Sequence, residues 1–456
     1  MQYLENILQA IGRTPLIRLS KLAPLDGPKI LVKPEFLNPG GSVKDRMAIY
    51  IIEKAEKEGL LKPGGTIVEN TSGNTGVGVA MVAAIKGYKT IFTMPDKMSS
   101  EKIDLLKAFG ARVVVTPTDV PADSPQSYYE TAKRIARETP NSFYLNQYHN
   151  PDNIEAHYYT TGPELYEQTG GKIDYLVAGI GTGGTLSGAG RYLKEKIAGI
   201  KIIAVDPVGS VFYDYFKTGK LSEPHVYKVE GIGEDMLTAA MDFSVVDDMI
   251  QVSDQDCFLT TRDLVRKEGM FAGGSSGGAV WAALKVARQA GPDDVVIVIL
   301  PDSGSRYLSK IFNDGWMEDN GFLIDESLPG KVSDLLNSGR LKPVTISADS
   351  PVRDAVSLMK KYDISQLPVK ENGGIVGMVY EIDVLRALAT RSGGLDDPVR
   401  DVAERDISLI SADEPVSHLA RIFSDTGSAV LVMKDDELLA VLTRIDLISY
   451  LARSKD

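Results

Sequence analysis

The sequence predicts an α/β fold of mostly parallel sheet, followed by a tandem pair of smaller units. Three observations carry that expectation. Over about the first 315 residues, short apolar runs alternate with segments of helical period. Glycine-rich turns lie between several runs and the helical segments that follow them. Beyond about residue 340, one pattern occurs twice.

Taken in order, "KILVKPE", "GTIVENT", "KTIFTMP", "ARVVVTP", "IDYLVAGIG", "KIIAVDP" and "DVVIVILPD" are short, rich in Val and Ile, and bounded by Gly, Pro or Asp. They read as buried strands. "MAIYIIEKAEKEGLL", "GVAMVAAIKGY" and "KIDLLKAF" read as helices between them. In such folds ligands gather at the loops leaving the strand C-termini, so those loops are where chemistry is expected. From "IDESLPGKVSDLLNSGRLKP" the texture turns polar, as a connector does. The repeat that follows opens twice on "ISAD-x-PV", from Ile346 and from Ile410, and closes near Asp383 and Asp446. The expected boundaries are residues 1–318 for the first unit, 319–340 for the linker, then 341–393 and 394–456 for the repeats.

Bulk composition narrows the function classes. A chain of 456 residues with 43% hydrophobic and 25% charged content has room for several buried cores. A net charge of -12 argues against nucleic-acid partners, which need basic surface. The lone cysteine, Cys257, excludes an internal disulfide and suits a reducing, cytoplasmic compartment. His149, His157, His225 and His418 show no paired ligand spacing, so no metal site is expected. "MQYLENILQA" lacks the basic and apolar regions of a signal peptide, and no run is long enough to span a membrane.

Four loops carry candidate chemistry. In "NPGGSVKDRMA", Gly40 and Gly41 permit a tight turn, and Ser42 with Asp45 has the spacing of a capping box. Lys44 then falls in the first helical turn, where positive potential favours a neutral, nucleophilic amine. On this motif alone an ordinary solvated lysine beside a helix cap is the stronger reading, since lysines at helix starts are common. In "ENTSGNTGVGVA", Thr71, Ser72, Asn74 and Thr75 crowd hydroxyls and an amide ahead of a helix, as a carboxylate receptor would. In "AGIGTGGTLSGAG", Gly181, Gly183 and Gly184 free backbone N–H groups for a phosphate, and Thr182 and Thr185 add hydroxyls. No Walker lysine follows, which disfavours a nucleoside triphosphate. In "FAGGSSGGA", Ser275 and Ser276 occupy another Gly-rich turn. An imine-forming lysine, two anion cradles and a neutral hydroxyl together meet the needs of pyridoxal phosphate bound with an amino acid.

In that order, "GGSVKDR", "TSGNTG", "GTGGT" and "GGSSGG" resemble the fold type II pyridoxal-phosphate enzymes, whose fold is two α/β/α subdomains with mostly parallel sheets. The resemblance spans about the first 320 residues. It implies Lys44 as the Schiff-base lysine, Asn74 at the cofactor's ring hydroxyl, Gly181 to Thr185 (Gly181, Thr182, Gly183, Gly184, Thr185) at its phosphate, and Ser275 at its ring nitrogen. It implies Thr71, Ser72, Thr75 and Gln147 at the substrate carboxylate, with Tyr148 nearby. "VEGIGEDM" and "LPDSGSRYLSKIFNDGWM" resemble the cystathionine β-synthase family, and the tandem repeat resembles paired CBS domains. That resemblance implies a β-replacement joining L-serine and L-homocysteine, with hydrogen sulfide release from cysteine as a side reaction. An O-acetylserine-dependent cysteine synthase with a regulatory tail is the alternative. Glu234 departs from the tyrosine found at this place in the family's eukaryotic members. No haem is expected, because the haem-binding extension of animal members is missing.

The second repeat carries "LTRID", where Thr443 and Asp446 would bracket a ribose; the first has "VYEID", with Tyr380 in place of the hydroxyl residue. The resemblance implies S-adenosylmethionine, or else an adenine nucleotide, as regulatory ligand, and a homo-oligomer, dimer or higher. A dimerisation module that binds nothing is the plainer reading of the tail. A reading from another class, an adenosyl-ligand sensor with an inactive first unit, is opposed by the intact Lys44.

Overall fold

The Val- and Ile-rich runs form the strands of two sheets. The structure, a computed structural model, describes residues 1, 3–71, 73–96, 98, 100–118, 120–121, 124–323, 328–336, 343–371, 373–389, 394–405, 407–425, 429–434 and 437–453. The strands of the first unit are β1 (Ile17–Arg18), β2 (Lys29–Pro34), β3 (Thr66–Asn70), β4 (Lys89–Pro95), β5 (Arg112–Thr116), β6 (Ser142–Tyr144), β7 (Tyr175–Gly179), β8 (Lys201–Pro207), β9 (Asp248–Val252) and β10 (Val295–Leu300). Its longer helices are α1 (Lys44–Lys57), α2 (Asn74–Lys86), α3 (Ser100–Ala108), α4 (Tyr128–Glu138), α5 (Asp152–Tyr159), α6 (Thr161–Thr169), α7 (Gly184–Lys196), α8 (Phe212–Thr218), α9 (Asp254–Glu268) and α10 (Gly274–Ala287).

One sheet has the order β5-β4-β3-β6 and is parallel throughout. The other has the order β1-β2-β10-β7-β8-β9, parallel except for the antiparallel β1–β2 pair. Burial on both faces explains why the inner strands lack polar alternation: every residue of β3 is buried, and so are the last five of β10. Each sheet has its own core. Met47, Ile51, Ile67, Val79 and Phe92 belong to that of the four-stranded sheet; Leu176, Leu193, Ile202, Phe212 and Ile297 belong to the other.

All seven runs read as strands are strands. The sequence reading missed β1, β6 and β9. The first two are too short to show a run, and β9, "DMIQV", is a half-exposed edge strand with polar residues inside it.

Contacts divide the chain into units Met1–Met317 and Glu318–Asp456. In the second unit each repeat forms a three-stranded sheet: β11 (Ile346–Ser347), β12 (Gln366–Glu371) and β13 (Gly374–Tyr380), then β14 (Leu409–Ser411), β15 (Ala429–Lys434) and β16 (Glu437–Thr443). The repeats interlock through their lead-in segments. Residues 328–336, expected as part of the connector, carry a 3-10 turn whose Val332 and Leu335 pack into the core of the second repeat. Val332 and Ser333 N–H groups donate to the Glu414 and Ala412 carbonyls there. The turn Val399–Asp401 packs Val399 into the first repeat in the same way. Composition alone makes "PGKVSDLL" look like linker because only two of its side chains are buried deeply. Among the described residues no helix is long and apolar enough to cross a membrane.

Candidate active site

Helix α1 starts at Lys44, and its far side is anchored in buried charge. Residues two apart on a helix point about 200° from one another, so Arg46 faces away from Lys44. The Arg46 guanidinium pairs with Glu35 at 2.6 Å and with Glu164 at 2.8 Å, and Lys33 joins Glu164 at 2.5 Å. Buried ions persist only when paired, so this network fixes the rotation of α1 and turns Lys44 inward.

The turn ahead of Lys44 differs from the expected capping box. Ser42 Oγ accepts from the Lys44 N–H at 3.2 Å, but Asp45 reaches back to the Gly40 N–H at 2.6 Å instead of capping Ser42. Gly41, at φ +79°, supplies the left-handed step. The amine lies in a cavity of about 340 Å³. Burial lowers the Lys44 pKa, while the carboxyls of Glu234, Asp302 and Glu69 pull it back up. The sequence reading assigns the lowering to the helix terminus; in the structure burial is the largest cause.

Thr71, Asn74 and Thr75, from the β3–α2 connection, line the same cavity. Thr71 Oγ1 accepts from the Gly73 and Gly76 N–H groups, at 3.0 and 3.2 Å, which shapes the loop. The Thr75 hydroxyl donates to Gln147 Oε1 at 2.6 Å, and Gln147 Nε2 donates to the Asn70 carbonyl at 3.2 Å. Asn74 Nδ2 donates to Asp302 at 2.8 Å, and its buried Oδ1 has no partner among the described residues. Ser72 lies outside the described residues.

The Gly181–Thr185 segment leaves β7 and enters α7, with Gly181, Thr182, Gly183 and Thr185 in the cavity wall and Gly184 buried behind it. There is no room for side chains: a Cβ at Gly181 would lie 2.8 Å from the Gly231 carbonyl, and one at Gly183 2.6 Å from Met241. Among the described residues, the N–H groups of Gly181, Thr182 and Gly183 have no backbone acceptor. With the free N–H groups of the first turn of α7 they form an anion cradle. Asn153 ties this cradle to the carboxylate loop, since its Nδ2 donates to the Gln147 carbonyl at 2.8 Å and to Thr182 Oγ1 at 3.0 Å. Ser275, buried in the first turn of α10, also faces the cavity. A cradle without space for side chains, an inward amine and an unpaired amide oxygen on Asn74 fit a phosphorylated aldehyde of pyridoxal-phosphate size.

Sequence reading named Tyr148 but missed the residues around it. The rings of Tyr128 and Tyr129 pack at a tilt with centroids 4.0 Å apart, and those of Tyr129 and Tyr148 meet edge to face at 5.6 Å. Burial pushes the Glu69 carboxyl up to about 8 although the Gln147 and Asn146 N–H groups bond it. Burial likewise raises Asp302, opposed by its bonds from Tyr307 and Asn74. His157 was considered only as a metal ligand. It is buried between Thr161 (2.8 Å) and Thr185 (3.2 Å), and burial and then Lys44 hold it neutral. Thr443 and Asp446 belong to the second unit, where Asp446 accepts from the Thr443 N–H (2.7 Å) and hydroxyl (2.8 Å) at the start of the helix Arg444–Arg453.

The family model described as pyridoxal-phosphate dependent enzyme matches residues 7–302, and the CBS domain model matches 332–390 and 399–453. The chain is similar to the cystathionine beta-synthase of Dictyostelium discoideum, at 39% identity over 99% of this chain and 93% of that one. Cysteine synthase 1 of Emericella nidulans is 43% identical over 70% of this chain and 87% of its own. Among solved structures, the O-acetylserine dependent cystathionine beta-synthase from Helicobacter pylori matches with a TM-score of 0.63 and 39% identity, covering 68% of this chain and 99% of that one.

Proposed function

Because the chain belongs to the cystathionine beta-synthase family of pyridoxal-phosphate dependent enzymes, we propose that it condenses L-serine with L-homocysteine to L-cystathionine and water. The observation that carries this reading is the convergence of Lys44, the Thr71–Thr75 loop and the Gly181–Thr185 cradle on one cavity. Lys44, Asn74, Gly181, Thr182, Gly183, Gly184, Thr185 and Ser275 hold the cofactor. When bound, it supplies an electron sink for the substrate's α-carbon. Ser275 offers a neutral hydroxyl where an aspartate would fix a proton, which favours prompt loss of the β-substituent over transamination.

The protein's own groups do the rest. Thr71, Ser72, Thr75 and Gln147 bind the serine carboxylate and orient the Cα–H bond toward Lys44. The lowered pKa of Lys44 lets its amine accept the α-proton and later return it. Serine loses that proton and its β-hydroxyl, which departs as water. The homocysteine sulfur then bonds the β-carbon, and its S–H proton completes the balance. The tyrosine wall, Tyr148 included, keeps water from the β-carbon.

The fit of both CBS repeats supports a regulatory tail. We place an adenosyl ligand, S-adenosylmethionine before an adenine nucleotide, at Thr443 and Asp446, in a cytoplasmic homo-oligomer. Release of hydrogen sulfide from cysteine is a side reaction of the same site. The likeness to an O-acetylserine dependent enzyme supports a second reading of the donor, in which acetate replaces water as leaving group.

The test is the visible spectrum of the purified protein as L-serine and then L-homocysteine are added, with cystathionine measured at the end. A band that moves with serine and returns with homocysteine is expected. A band that ignores serine and moves with O-acetylserine transfers the reading to the acetylated donor. A protein that stays colourless with added pyridoxal phosphate overturns both.

A further inference from the structure

Glu234 stands in the wall of the cavity that holds Lys44, with a role no other part of the site explains. Its backbone is pinned. The Glu234 N–H donates to Ser210 Oγ at 3.1 Å, and its carbonyl accepts from the Val211 N–H at 3.1 Å and the Ser210 hydroxyl at 3.3 Å. Gly231 and Gly233, at φ +88° and +78°, form the turn that brings it inward. Among the described residues its carboxyl makes no hydrogen bond or ion pair. Tyr128, Tyr129, Tyr148 and Tyr227 line the same cavity. Each of the four has its pKa raised partly by the Glu234 charge.

A carboxylate without a partner, set among aromatic rings, is a receptor for an organic cation. Burial, and then the neighbouring Asp235, push the Glu234 carboxyl up to about 8. Lys44 draws it down only in part, and a cation arriving beside it adds the opposite charge that restores the carboxylate. Lys102 also lines the cavity, but it is paired with Glu230 and is not available to do this. The first amino acid has its carboxylate receptor at Thr71 and Thr75, so a second zwitterion needs a separate anchor.

We propose that Glu234, within the wall of Tyr128, Tyr129, Tyr148 and Tyr227, binds the α-ammonium of the second substrate and so selects an amino-acid thiol over thiols and sulfide that lack an amine. This rests on the β-replacement reading and names the acceptor subsite within it.

The test uses the full-length holoenzyme with L-serine and two acceptors, L-homocysteine and 4-mercaptobutyrate, which differ by the amine alone. In E234Q the KM for homocysteine rises about 10- to 100-fold, the scale of a hydrogen bond to a charged group. The KM for 4-mercaptobutyrate changes by less than about threefold, on the same argument that it has no ammonium to lose. E234D, which keeps the charge, falls between E234Q and wild type. The serine-induced band still forms in E234Q, because Thr71 and Thr75 hold the first amino acid, although loss of the Glu234 charge moves the pH at which Lys44 titrates. Equal losses for both acceptors overturn the proposal and assign Glu234 to the sulfur's proton; an unchanged homocysteine KM overturns it outright. A wild-type protein that does not respond to serine instead refutes the underlying reading. A second measurement needs no variant: at saturating serine, L-methionine competes with homocysteine and 4-(methylthio)butyrate does not. Equal competition by the two also overturns the proposal.

Discussion

Asn153 is the joint between the two anion cradles, and Gly184 is the residue that gives it room. A Cβ at Gly184 would overlap the Asn153 Oδ1 and Cγ and lie 2.9 Å from its Nδ2. G184A therefore has to expel the Asn153 side chain. The losses are overpacking and the two bonds to Gln147 and Thr182. Overpacking costs about 1–3 kcal/mol, and each bond about 1 kcal/mol. If about 3 kcal/mol falls on the cofactor-binding form, the dissociation constant for pyridoxal phosphate rises about 150-fold. N153A loses the same two bonds without the overlap, about 2 kcal/mol or roughly 30-fold. The double variant G184A/N153A has space for the new methyl group, so its constant stays within about threefold of N153A alone. The assay is titration of apoprotein with pyridoxal phosphate, followed by visible absorbance for wild type and the three variants. Additive losses in the double variant refute the reasoning, because they mean Gly184 and Asn153 act independently.

Three further outcomes are expected. K44A leaves the protein without the cofactor's lysine-bound absorbance and without turnover, yet still able to bind an adenosyl ligand; retained colour would remove Lys44 from its assigned role. Asp206 is buried and pushed up to about 7 by burial, against bonds from Ser210 and the Tyr213 N–H. Between about pH 4 and 7 the folded state thus holds a proton that the unfolded state has lost, so stability falls as pH rises, by up to about 1.4 kcal/mol per unit. D206N lacks this term, and its thermal midpoint drops less than that of wild type between pH 5 and 7; equal slopes would contradict the burial argument. T443V removes the hydroxyl bonded to Asp446 and keeps the backbone bond, so the helix persists while S-adenosylmethionine binding, measured by calorimetry, weakens about tenfold. Unchanged binding would move the ligand elsewhere in the tail.

Much of this protein is legible without coordinates, for a local reason. A strand buried on both faces shows an unbroken apolar stretch instead of polar alternation, so β8, through residues 202–205, and β10, through Val295–Leu300, appear as runs in the sequence. A glycine that makes way for a ligand or a tight turn leaves its mark in the same few residues, so the Lys44, Asn74 and Gly181–Thr185 loops could be picked out individually. The doubled "ISAD-x-PV" pattern likewise disclosed the tail, since each copy must build the same strand and helix.

Tertiary structure decided what depends on residues far apart in the chain. Burial lowers the Lys44 pKa while Glu69, Asp302 and Glu234, carried in from three separate segments, oppose it, and neither effect exists within the Lys44 segment alone. Asn153 and His157 look like ordinary residues of α5; contact with the Gly181–Thr185 segment makes them part of the site. The lead-in turn Val332–Leu335 reads as linker until the second repeat closes over it. A sequence records what each residue must be for its own segment to fold; charge, desolvation and packing between segments exist only once the segments meet.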